Sequence, residues 1–520
     1  MKRKYTYHVN NKKISREIKY IPFRYILAMF LTILEILSIM AAVILLAIYV
    51  PYFYLLILLT VVGVVISIIA SNDNPDYKVP WLLFVIVLPI AGFMLYFLFY
   101  KRKLPKKMLN RIEQFNNSLI INDESTHLDL KKEDELVSTQ ALQLCKISNT
   151  HLYKDSKTAY YKCGEEFHEA LINEIQKAKK FIFLEYFIIE EGVFWDSILK
   201  ILKEKALKGV EVKVVYDDIG CMMTLPSNYY KKLKKYNINS VPFSKLKGQA
   251  DGEFNNRSHR KILVVDGKVG FVGGINLADE YINKIQKFGY WKDSALKIEG
   301  NAVNELTKLF LIDYYSNDKK AEINFEKYYY FYEESKLENY IVPFGDGPKP
   351  IYEYNVGKTV IMNMLNQAKR YVYITTPYLI VDNEMLKAIE NSALRGVEIK
   401  IVVPHIPDKK LVFEMTKSTY RLLMKKGVKI YEFEKGFIHA KTYISDDKIA
   451  MIGTINLDYR SLIHHFENGI WMYNDPTIMD MKKDFDDTIK ESLYMNDIYF
   501  KDNLLSKFIR SVVRIFAPLL

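Results

Sequence analysis

The sequence predicts an α/β protein made of two tandem α-β-α sandwich domains in a pseudo-two-fold arrangement, preceded by N-terminal transmembrane helices. Three observations predict it. Apolar residues crowd into the first hundred positions, a helix–strand pattern occurs twice after residue 110, and one short His/Lys/Asp pattern recurs once in each copy.

Half of the 520 residues are hydrophobic, and they concentrate in three runs, 25–48, 52–70 and 80–100. The first has Glu35 as its only charge and is long enough to cross a hydrocarbon layer of about 30 Å. The flank before the runs carries Lys2, Arg3, Lys4, Lys12, Lys13, Arg16, Lys19 and Arg24. The flank after them carries Lys101, Arg102, Lys103, Lys106, Lys107 and Arg111. Positive charge stays on the cytoplasmic side, so both flanks there require an even number of crossings. The third run, broken by Pro89 and Gly92, is the candidate for a re-entrant segment. Residues 1–110 are thus expected to be an anchor with two or three spans. The expected location is the cell membrane, multi-pass, with the remaining chain on the cytoplasmic side.

The two copies are expected at 111–335 and 336–520. The first contains a basic-ended helix running into the strand Phe181–Tyr186, and the second contains its counterpart running into Tyr371–Thr375. Each continues through a second helix that stops at a glycine, Gly209 or Gly396, before an alternating Val/Ile strand. Glycine caps a helix and alternation marks a strand, and helix–strand alternation argues for helices packed on a sheet. The charged, tyrosine-rich and then turn-prone stretch 322–348 is the expected boundary.

The chemical signal is the pattern His-x-Lys-x4-Asp, present as His259, Lys261 and Asp266 and again as His439, Lys441 and Asp446. Spacing of two places His and Lys on one face of a strand, where both address one phosphate. These six residues are the candidate catalytic set. The aspartates, at odd spacing, fall on the opposite face, so a structural part is expected for them. Seven residues beyond each aspartate comes a small-residue pair, Gly273-Gly274 or Gly453-Thr454, then Asn276 or Asn456. Small residues admit a phosphate to the backbone and the asparagines offer amide hydrogens, making them candidate phosphate ligands. Glu467 and Glu185 are candidates to orient the imidazoles.

The formal charge of +12 suits a phosphate-bearing partner. Cys145, Cys163 and Cys221 are too few and scattered for a disulfide framework or zinc site. His464-His465 has no further Cys or carboxylate cluster at ligand spacing, so no metal and no cofactor is expected.

The doubled motif with its Gly-x-x-Asn tail resembles the phospholipase D superfamily, and the chain as a whole resembles bacterial cardiolipin synthases. Asn74-Pro75, Tyr77 and Trp81 leading to Leu88-Pro89, Gly92 and Tyr96 are similar to their membrane segment. Leu184-Glu185-Tyr186, Tyr216-Asp217, Trp291-Lys292-Asp293, Thr376-Pro377-Tyr378, Asn456 to Ser461 and Phe466-Glu467-Asn468 resemble their catalytic region. The chain departs from that pattern at Cys221, Gly274, Thr454 and His464-His465. The resemblance implies transfer of a phosphatidyl group through a phosphohistidine, with His259 as nucleophile and His439 as acid and base. It implies phosphatidylglycerol and anionic membrane lipids as partners, and no nucleic acid. A membrane phospholipase D that hydrolyses lipid is the first rival, because it shares the chemistry. A nuclease or phosphodiesterase is the second, and a non-catalytic scaffold the third.

Overall fold

A computed structural model describes residues 3–9, 12–18, 23–100, 109–110, 112–113, 124–154, 156–245, 255–318, 325–332, 337–496 and 512–519. The second basic flank lies outside them, as does 504–511, the first part of the stretch 504–516, whose apolar residues with basic interruptions read as a C-terminal amphipathic segment. Two compact units emerge, one of residues 21–105, 246–256 and 502–520 and one of 1–20, 106–245 and 257–501.

The first unit is helical. α1 (Phe23–Tyr49) and α2 (Pro51–Ala70) meet at Val50. Within α1, Met29–Leu46 is long and apolar enough to cross a membrane, and none of it is buried; Leu55–Ala70 in α2 is a shorter apolar stretch. The third run is interrupted where Pro89 and Gly92 stand. It forms α3 (Pro75–Val87) and α4 (Pro89–Phe99), broken at Leu88. Pro89 has no N–H to continue α3. Gly92 lets α4 fold back: a Cβ there would sit 2.0 Å from the Phe84 carbonyl oxygen. The two helices form a hairpin, with Tyr77 stacked on Tyr100 at 5.6 Å and Trp81 edge-on to Tyr96 at 6.0 Å. At a rise of 1.5 Å per residue neither helix exceeds about 20 Å, well short of a bilayer core. The described C-terminal residues group with this unit, where Phe516 packs on Phe84.

The second unit is built around two large sheets. In the seven-stranded sheet the order is Lys157–Tyr161, Ala295–Glu299, Val269–Gly273, Lys261–Val265, Phe181–Tyr186, Glu211–Asp217, Ile238–Phe243. In the nine-stranded sheet the corresponding order is Tyr340–Asp346, Glu467–Tyr473, Ile449–Gly453, Thr442–Ser445, Tyr371–Thr375, Glu398–Pro404, Lys429–Phe433, with Tyr153–Lys154 and Ser492–Tyr494 added at the edges. The match, strand for strand, is the structural form of the sequence repeat. Central strands such as Phe181–Tyr186 are buried on both faces because helices cover both sides.

The expected start of the first copy at residue 111 needs correction. Residues 124–154 pack with the second copy: Leu130, Val137, Ala141, Leu144 and Leu152 join the core of Val356, Val360 and Met364, and Tyr153 pairs with Ile341. Val137, Ala141 and Leu144 recur at helical spacing, and their stripe needs an apolar face to cover it.

The sheets are bound together. The helix Val303–Asn317 is buried on all sides through Tyr315; Leu306 lies against Gly270 of one sheet and Leu309 against Gly345 of the other. Tyr290–Lys292 pairs in parallel with Gly436–Ile438, and Ser258 is bridged to Phe466.

Candidate active site

Both motif histidines lie where the two copies meet. Each sits just ahead of its strand, so His259 precedes Lys261–Val265 and His439 precedes Thr442–Ser445. Each is held by the other copy's backbone: His259 N–H donates to the Phe466 carbonyl at 2.8 Å and His439 N–H to the Lys292 carbonyl at 2.7 Å.

The side chains are crossed in the same way. His259 Nδ1 lies 2.9 Å from Glu467 Oε2, and His439 Nδ1 lies 2.7 Å from Asp293 Oδ2. Each imidazole thus takes its carboxylate from the opposite half. Glu467 also accepts from the hydroxyls of Thr454 and Ser461. Asp293 has no such hydroxyl. It accepts from Ser294 N–H, and the Gly274 Cα beside it has no room for a side chain, since a Cβ would fall 2.2 Å from Asp293 Oδ1 and 2.9 Å from the His439 carbonyl.

Glu467 was expected as an orienting group. Asp293 was not, although Trp291-Lys292-Asp293 stands among the stretches that carry the resemblance. The repeat held the signal: Glu467 opens Glu467–Tyr473, and Asp293 stands just before Ala295–Glu299, the strand that corresponds to it. Glu185 does not orient an imidazole. Its carboxylate accepts from Ser258 Oγ at 2.6 Å, and burial, with Asp313 beside it, pushes its pKa well up. Arg260 bridges this region, donating to Asp313 at 2.7 Å and to the Glu467 carbonyl at 3.0 Å.

Lys261 Nζ donates to the His259 carbonyl at 2.7 Å and Lys441 Nζ to the His439 carbonyl, which keeps each ammonium beside its own histidine. Asn276 is engaged at both ends, accepting from Ile188 N–H at 3.1 Å and donating to Tyr281 OH at 2.7 Å. Asn456 donates to Asp458 at 3.1 Å. An amide nitrogen carries two hydrogens, so one on each remains beyond these bonds.

Asp266 and Asp446 are placed away from the imidazoles. Asp266 accepts the backbone N–H groups of Lys179, Lys180 and Phe181 at 2.7–2.8 Å. Asp446 does the same for Lys369, Arg370 and Tyr371 at 2.7–2.9 Å. Each ties the far end of its motif strand to the start of the neighbouring strand. They belong to the motif as fold elements, which corrects their inclusion in the catalytic set.

Burial governs the electrostatics. It lowers the His259 pKa to about 3, with Lys261 adding to the fall and Glu467 opposing it. It lowers His439 to about 4, helped by Lys441 and opposed by Asp293. Lys261 falls to about 7 and Lys441 to about 8, burial first in each case, with the Lys441 charge contributing to the fall at Lys261. Burial raises the Glu467 and Asp293 carboxyls, but the facing imidazoles outweigh it and both end below the usual range. A neutral imidazole whose Nδ1–H donates to a carboxylate carries its lone pair on Nε2. Two such lone pairs and two ammoniums suit a phosphodiester anion. Its charge would restore the lysines' protons and favour protonation of one imidazole.

A family profile described as "Cardiolipin synthase, PLD-like domain" matches residues 171–310 and 361–489, and one described as "Phospholipase_D-nuclease N-terminal" matches 55–99. A protein of Streptococcus mutans serotype c described as uncharacterized is 46% identical over 71% of this chain and 80% of its own length. A cardiolipin synthase of Geobacillus thermodenitrificans is 34% identical over 70% of this chain and 72% of its own. The crystal structure of a phosphatidylserine synthase from Haemophilus influenzae superposes with a TM-score of 0.56 at 17% identity, over 74% of this chain and 99% of that one; the likeness is one of fold.

Two outcomes follow from this geometry. Asp266→Asn should lower the melting temperature, since it weakens a cap worth about 1–3 kcal/mol, while turnover below the transition stays within about twofold of the parent; a hundredfold loss would make the aspartate part of the chemistry. The depressed imidazoles remain neutral in the folded protein and charge in the unfolded chain, so the unfolded state binds more protons between pH 6.5 and the folded values of about 3 and 4. Stability should therefore fall as pH drops from 7 to 5, by up to about 1.4 kcal/mol per unit for each group. Denaturant unfolding should show a shallower slope in the His259→Asn/His439→Asn double variant, and an unchanged slope would contradict the assignment.

Proposed function

This chain belongs to the phospholipase D-like cardiolipin synthase family, and we propose that it joins two phosphatidylglycerol molecules into cardiolipin and glycerol through a phosphatidyl-histidine. The observation that supports this most is the crossed pairing of two neutral imidazoles with two carboxylates around two buried lysines.

In the proposed sequence His259 Nε2 attacks phosphorus while Lys261 and Lys441 neutralise the phosphodiester and the more negative transition state. Glu467 stabilises the imidazolium character that develops at His259. His439, protonated once the anion is bound, gives its proton to the departing glycerol oxygen. It then takes the proton of the acceptor hydroxyl as that oxygen attacks the phosphohistidine. Asp293 holds the His439 ring through both steps. Asn276 and Asn456 supply the remaining amide hydrogens to phosphate oxygens. The assignment of His259 as nucleophile follows the family resemblance.

The membrane unit supports a topology as well. With α1 and α2 as the crossings and α3–α4 as a hairpin that enters and leaves on one side, both basic flanks fall on the cytoplasmic side. Anchoring at the membrane favours transfer over hydrolysis, because a second lipid alcohol is concentrated there.

Purified protein on phosphatidylglycerol vesicles without added metal should release glycerol and form cardiolipin. His259→Ala and His439→Ala should each lose at least about a thousandfold. Phosphatidic acid as sole product would turn the reading to hydrolysis, and DNA cleavage without lipid turnover would turn it to a nuclease. Fluorescent reporter fusions before residue 23 and after residue 111 should both mark the cytoplasm; opposite sides would refute two crossings.

A further inference from the structure

On sequence spacing alone His464-His465 has only Glu467 close by, too few ligands for a metal site. The fold supplies the missing ligands. The His465 ring lies 5.6 Å from the His259 ring, and His465 Nδ1 lies 3.7 Å from Glu467 Oε1. One ligand atom from each of His259, His465 and Glu467 falls within 4.8 Å of the others. His465 Nδ1 is buried and has no hydrogen-bond partner among the described residues, and its side chain is 12% exposed. An imidazole nitrogen left without a hydrogen bond beside a buried carboxylate carries a desolvation cost, and a third ligand is already in place.

We propose that His259, His465 and Glu467 form an inhibitory site for a borderline transition-metal ion, zinc above all. Two imidazoles and one carboxylate suit zinc, with a fourth position left to solvent. Magnesium and calcium prefer all-oxygen sets and do not match it. The ligand atoms must close by about 1 Å to reach tetrahedral spacing, which a rotation of the partly exposed His465 ring provides. Thr454 and Ser461 hydroxyls already hold the Glu467 carboxylate in place, the kind of outer support that metal ligands have. The neighbouring Lys261 charge opposes binding, so the site is one of moderate affinity and reversible.

The consequence for chemistry follows from proton placement. A neutral imidazole has one proton and one lone pair. Metal on His259 Nδ1 takes that lone pair and moves the proton to Nε2, where none is left to attack phosphorus; metal on Nε2 blocks attack directly. The inference rests on the proposed role of His259 for its effect on turnover, and on geometry alone for binding.

Tag-free full-length protein in detergent, stripped with a chelator, is titrated with zinc chloride by calorimetry and, in parallel, assayed on phosphatidylglycerol vesicles. Zinc should bind and should suppress turnover reversibly on adding chelator, while magnesium at the same concentration does not. In His465→Asn and His465→Gln the zinc affinity should fall at least about tenfold. The concentration that halves each variant's own metal-free rate should rise by the same factor. No zinc binding by the parent, equal suppression by magnesium, or parental affinity in both variants would overturn the site. A chain that binds zinc through His465 yet never turns over phosphatidylglycerol would sink the functional reading and leave the site standing.

Discussion

The structure depends on one interaction made twice: an imidazole from one half hydrogen-bonded to a carboxylate from the other. His259 with Glu467 and His439 with Asp293 fix ring orientation and tautomer, and they work only if the two sheets hold a fixed relation. The all-round burial of Val303–Asn317, the inter-copy strand pair and the two backbone bonds to the histidines serve that end. Precision at the two imidazoles comes from the whole body.

The site is expensive to keep. Two ammoniums with pKa values brought down to about 7 and 8 are held where burial disfavours their charge, and the imidazoles are held neutral. Buried cations beside neutral imidazoles are the arrangement expected of a centre organised to receive an anion. The zinc site proposed above draws on the same surplus of unsatisfied groups.

Much of this was legible in the sequence because it repeats. Motif spacing, asparagine tails and glycine-stopped helices are local patterns, and a repeat doubles each one. What escaped was non-local. Asp293 lies 146 residues from the histidine it orients, and no periodicity links them. Residues 124–154 precede the first copy yet complete the second, because an amphipathic stripe records that it must be covered and not by what. The break between α3 and α4, by contrast, was local and legible, because Pro89 and Gly92 stand in the middle of the third run. Glu185 stood beside Glu467 as an orienting candidate, but its carboxylate accepts from Ser258 and lies beside Asp313.

The crossed carboxylates also bear on ancestry. A chain carrying one copy would own a histidine and an acid that cannot meet each other. Two such chains, related by a true dyad, would complete both pairs at once and make a single centre between them. Fusion into one polypeptide then frees the halves to diverge. Thr454 at the position that Gly274 takes in the other copy, and His465 with no counterpart beside His439 among the described residues, mark how the halves differ.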